Sequence, residues 1–113
     1  MTLSNHRKKS GQELLVRLLK EALEASADSI RLEYEETGLG VNFFRGQFGN
    51  LVKIIPRDRE QEVIDVLIER AGMATKPKGR IRLEFKGREH VIVVKEFQSF
   101  GETAYLLRFR KPQ

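Results

Sequence analysis

The residues with the greatest chemical reach in this chain are arginines at two-residue spacing. Arg80 and Arg82 alternate with Ile81 and Leu83, and Arg108 and Arg110 alternate with Leu107 and Phe109. Side chains two apart in a strand share a face. Each pair therefore presents two guanidiniums on one side of a strand and apolar groups on the other. The guanidinium is a planar fork that fits a phosphate or carboxylate with two parallel hydrogen bonds. Run side by side, these strands place four forks in one patch. Cross-strand pairing with Glu84, Glu89 and Glu102 is the competing arrangement.

Other groups offer less. Glu33, Glu35 and Glu36 are the densest acidic cluster. Glu33 and Glu35 share a strand face and can pair as acid and base, but their pattern is that of a solvated edge. His6 and His90 lie far apart with no second histidine at ligand spacing, and the chain has no cysteine. A transition-metal site is therefore not expected. Ser10, Ser26, Ser29 and Ser99 have no nearby histidine to activate them. No Gly-x-x-x-x-Gly-Lys-[Ser/Thr] run occurs, and Gly46 and Gly49 sit in a hairpin turn, so no phosphate-cradling loop is present. The expectation is a chain with no catalytic residues, no cofactor and no metal.

With 113 residues the chain has room for one domain. Its charge is +5, from 21 Lys and Arg against 16 Asp and Glu, which suits an anionic partner. Residues 1–10 are polar and basic and lack the apolar core of a signal peptide. No run approaches the roughly 20 apolar residues of a membrane span. A cytoplasmic location is expected.

The elements that must position the arginines follow from periodicity. Residues 1–9 read as a disordered basic tail and 10–113 as a single α+β domain. Ser10-Gly11-Gln12-Glu13 has the spacing of a capping box, and Leu14, Leu15, Leu18, Leu19, Ala22 and Leu23 recur with helical period. From Ile30 the pattern alternates, predicting strands near 30–35, 41–45 and 50–55. Asp58 reads as an N-cap, Val63 to Ala71 as a second apolar stripe, and Gly72 as its stop. A basic loop, 73–78, precedes strands at 80–86, 89–97 and 103–110. The strand at 89–97, apolar on both faces, reads as central. The order α-βββ-α-βββ predicts a two-layer sandwich, mostly antiparallel sheet packed on two helices. Its two halves share one plan and suggest a pseudo-repeat.

Six collinear sites carry a family resemblance. They are Asp28-Ser29-Ile30-Arg31-Leu32-Glu33, Phe44-Arg45-Gly46, Ala71-Gly72-Met73, Pro77-Lys78-Gly79-Arg80-Ile81, Gly101-Glu102 and Leu106-Leu107-Arg108. Their order resembles the N-terminal accessory (N2-type) domain of the ATPases of type II secretion and type IV pilus assembly, without the ATPase domain. The resemblance implies a domain that packs on an ATPase domain and whose arginines reach bound phosphates. Arg80 stands at one such position, and Ile92 stands where the family carries the second arginine.

The resulting expectation is a non-enzymatic protein-interaction or regulatory module, docking on a secretion or pilus ATPase component. Arg45, Arg80, Arg82 and Arg108 are its candidate anion- or partner-binding residues, and Phe44, Phe48 and Phe97 its apolar interface. Two alternatives come from other classes. One is a nucleic-acid-binding domain using basic strand faces, with steep salt dependence. The other is a small-ligand sensor with a pocket between sheet and helix. A homo-oligomer is compatible with each.

Overall fold

Every apolar residue at the centre of the first helical stripe is buried: Leu15, Leu18, Leu19 and Ala22 expose no surface. They lie on α1 (Asn5–Glu24) of a computed structural model that describes residues 5–110. Of the second stripe, Val63, Ile64, Leu67 and Ala71 are buried on α2 (Arg57–Ala71), Ile68 is half-buried, and Val66 joins the buried set. Each buried Val, Leu or Ile among them contributes about 1.5–3 kcal/mol when removed from water. Gly72 ends α2 in the left-handed region at φ 70°. Its N–H donates to the Glu69 carbonyl at 3.2 Å and the Met73 N–H to the Ile68 carbonyl at 2.9 Å, the closure a glycine stop provides.

The strands are β1 (Ser29–Glu35), β2 (Gly38–Arg45), β3 (Phe48–Pro56), β4 (Lys78–Phe85), β5 (Arg88–Ser99) and β6 (Glu102–Phe109). They form one antiparallel sheet in the order β3-β2-β1-β6-β5-β4. The expected α-βββ-α-βββ sandwich is the fold observed. Ile30, Leu32, Leu39, Val41, Ile81, Leu83, Ile92, Val94, Tyr105 and Leu107 face the helices and complete the core. The opposite sheet face is open.

Several local expectations are corrected. Asn5 to Lys9, expected in the tail, belong to α1, while residues 1–4 lie outside the described residues. Ser10 is therefore inside the helix and caps nothing; its Oγ accepts from Arg59 at 2.7 Å. The small residue beside it serves helix packing, since a Cβ on Gly11 would lie 2.8 Å from the Glu62 carbonyl oxygen of α2. Pro56 is the N-cap of α2, without a side-chain cap, and Asp58 sits in the first turn where its charge suits the helix dipole. Lys78 opens β4 instead of closing a loop.

The strand apolar on both faces is not central. β5 is second from the edge, and Val91 and Val93 are half-buried on the open face. The central pair is β1 and β6. The halves are also not a pseudo-repeat. β1 and β4 run in opposite directions, yet each starts a meander toward the same sheet edge. Turning one onto the other about the sheet normal reverses the order of its strands, so no rotation that keeps the helices on one face relates them.

Candidate functional site

Strand register fixes which side chains share a row on the open face. Arg80 lies opposite Val93, Val93 opposite Arg108, Arg108 opposite Ser29 and Ser29 opposite Phe44. With neighbouring strands about 4.8 Å apart, the Arg80 and Arg108 backbones are about 10 Å apart across Val93. The next row runs Lys78, Lys95, Leu106, Arg31 and Asn42. On the other side, Arg82 lies opposite Val91, whose carbonyl accepts from the Arg110 N–H at 3.0 Å. Seven cations thus flank a half-buried apolar floor of Val91, Val93 and Leu106.

Their neutralisation is incomplete. Arg82 pairs with Glu89 at 2.8 Å, as the competing reading expected. Arg31 lies 4.5 Å over the Phe44 ring, a cation–π contact. Among the described residues no carboxylate lies within 4.0 Å of Lys78, Arg80, Lys95 or Arg108. Lys78 and Lys95 face each other directly across β4 and β5, an unfavourable like-charge pairing that a bound anion relieves.

The other expected site residues divide. Arg45 is at the far corner and is employed locally. Its Nε donates to the Ser26 carbonyl at 3.4 Å and a terminal nitrogen to the Ala25 carbonyl at 3.3 Å, beyond the end of α1. Phe44 closes the Arg80 row, and its ring fills the space a side chain on Gly49 would need. Phe97 lies opposite Ala104 on the open face, half-buried. Phe48 is 85% exposed at the start of edge strand β3. The structure thus gathers Arg80, Arg82 and Arg108, with Phe97 on the same face, and separates Arg45 and Phe48 from them.

Ile92 is fully buried under the helices. The residue facing the same way as Arg80 in its row is Val93, so an arginine partner for Arg80 would have to stand there. Sequence reading missed Arg31, Lys78 and Lys95. Parity carried the signal for Lys78, which is two residues before Arg80; only the register reveals Arg31 and Lys95.

A second concavity lies on the helix side, where Tyr34, Tyr105, Glu96 and Thr103 meet Glu60 of α2. Burial, then the charge of Glu60 and of Asp65, raises the Tyr34 phenol above 10.0. Burial, then Tyr34, Glu96 and Asp65, pushes Tyr105 up to about 12. Both phenols are neutral at ordinary pH. The Glu60 Oε2 is buried there without a hydrogen-bond partner. Among the described residues no group of three or more His, Cys, Asp or Glu side chains is placed to hold a metal ion, and no helix is long and apolar enough to cross a membrane. His90 packs near the Phe85 ring, with centroids 6.2 Å apart. No protein-family model matches the chain, and no curated protein matches it.

Proposed function

We propose that this chain is a non-enzymatic interaction module that docks on an anionic surface of a protein partner through the basic half of its open sheet face. The observation that supports this is the row in which Arg80 and Arg108 flank Val93, with no carboxylate within 4.0 Å of either among the described residues. The sheet fixes the Arg80 and Arg108 backbones on the two strands that flank β5, so an acidic or phosphorylated partner meets both without any backbone ordering. Val93 and Leu106 supply apolar area between the charges. The resemblance to the accessory domain of secretion and pilus ATPases supplies the partner class: an ATPase component of such an assembly, met in the cytoplasm.

The test is binding to such a component, with wild type compared with Arg80→Ala and with the pair Arg80→Glu and Arg108→Glu. A charge-assisted hydrogen bond is worth about 1.5–3 kcal/mol, so Arg80→Ala should weaken binding about 10- to 100-fold with melting unchanged. Affinity untouched by the double reversal removes this face from the interaction. Recovery of nucleic acid that washes off at moderate salt, in place of a protein, transfers the same face to the nucleic-acid reading.

A further inference from the structure

The chain has two tyrosines and no tryptophan, and both tyrosines line the helix-side concavity, whose volume is about 550 Å³. Tyr105 of β6 lies opposite Glu96 of β5 on the sheet side. Glu60, Ile64 and Ile68, on one face of α2, stand across from them. Two polar groups here have no partner. Tyr105 is 4% exposed, yet its phenol makes no hydrogen bond among the described residues. The Glu60 Oε2 is buried and equally alone. Buried polar groups are nearly always paired, so two orphans at one concavity call for a donor from outside the chain. Water can meet a hydrogen bond, but it does not offset charge. Among the described residues no cation lies within 4.0 Å of Glu35, Glu60, Glu96 or Glu102, all four of which line the concavity. Arg57 lines it too, but its guanidinium donates to the backbone carbonyls of Glu35 and Glu36.

We propose that this concavity binds a small organic cation of the alkyl diamine or polyamine class. The lining sets each requirement. An ionised carboxylate only accepts, so the ligand must donate, and an ammonium group brings three donors, a positive charge and no acceptor. The two phenols keep their protons, because burial and the nearby carboxylates oppose their ionisation. They add no charge and offer the ammonium a lone pair and an aromatic ring. Ile64 and Ile68 give apolar surface for a methylene stem. Four carboxylates around one opening suit a ligand with more than one ammonium. A metal ion fits less well, since among the described residues no three such groups close on one point. The volume falls within the range of small-ligand sites, roughly 300–1,000 Å³.

With both tyrosines at the site and no tryptophan elsewhere, the fluorescence of the full chain reports on it directly. The test is a titration at moderate salt with diaminobutane and with spermidine, beside the neutral analogue butanediol and magnesium chloride. Both amines should give a saturable change, and butanediol and magnesium none. Glu60→Gln and Glu96→Gln keep the side-chain shape and remove one charge. Each should weaken amine binding about ten-fold or more with an unchanged far-ultraviolet spectrum, while the control Glu84→Gln, on the β4 edge, should bind as wild type does. No saturation with either amine overturns the proposal. So does an equal response to butanediol or magnesium, an affinity unchanged in either site variant, or an equal loss in Glu84→Gln. The concavity is on the helix side, so it can fail while anion docking on the open face holds.

Discussion

The two edges of the sheet are made from opposite chemistry. On β4, the Glu96 N–H donates to the Pro77 carbonyl at 2.8 Å. That phase turns the backbone groups of Gly79, Ile81 and Leu83 toward β5 and those of Lys78, Arg80, Arg82 and Glu84 toward the free edge. Four charged side chains therefore stand beside the unpaired groups and keep them hydrated. On β3 the corresponding positions hold Leu51, Val52 and Ile54. An edge can be protected by charge and still serve an anionic ligand on its face. The one charge on β3, Lys53, turns away to Glu21 of α1, so its free backbone groups have apolar side chains beside them. The contrast separates two surfaces that net charge alone would merge.

The β4 edge is anchored on α2 by a close backbone contact, and the largest expected effect follows from that. A Cβ on Gly79 would stand 1.9 Å from the Ala71 carbonyl oxygen, where strand and helix backbones touch. Gly79→Ala should cost about 3 kcal/mol, seen as a fall in the chemical-denaturation midpoint. A midpoint near wild type would mean that this edge is loosely held after all.

The seam between the halves comes next. Tyr105 of β6 lies opposite Leu32 of β1, and its phenol is pushed up from 10.0 to about 12. The folded chain keeps this proton where the unfolded chain loses it. The stability it contributes is complete below pH 10.0 and is lost as pH rises toward about 12. Tyr105→Phe should flatten that alkaline loss in melting curves; an equally steep loss in the variant would place its origin elsewhere.

At the β3 side, Arg45→Ala removes two hydrogen bonds beyond α1 and should cost about 1–2 kcal/mol in thermal unfolding, with anion docking unchanged. Reduced docking in a variant of unaltered stability would return Arg45 to the binding set. Arg82→Ala breaks an exposed pair and should change stability by less than about 1 kcal/mol. A larger loss would show that the Arg82–Glu89 contact helps to hold the β4 edge.

Much of the fold was legible because two periods alternate cleanly along the chain. Leu15, Leu18 and Leu19 mark helix, and Ile81 and Leu83 mark strand, whatever their partners. Where one residue serves two purposes, local reading failed. Ser10 and Gly11 match a cap locally, but Arg59 and Glu62, distant in sequence, assign them to helix packing. The rank of β5 failed for a related reason: Val91 and Val93 are apolar as in a central strand, yet they floor an open face. The arginine patch was legible as two pairs by parity. Its extent was not, because Lys95 and Arg31 join it only through the β5–β6 and β6–β1 registers.

The central seam also governs how the chain reaches this state. β1 is covered on one side by its own hairpin partner, while its other side waits for Tyr105 to Arg108. The first meander can form early during synthesis, but it presents an open flank until β6 has left the ribosome. The contacts that seal it join distant parts of the chain, such as Ile30 with Leu107. Loop closure over such separations slows folding and prolongs exposure of unpaired strands. A nascent chain of this design has its greatest need of chaperone protection just before β6 emerges.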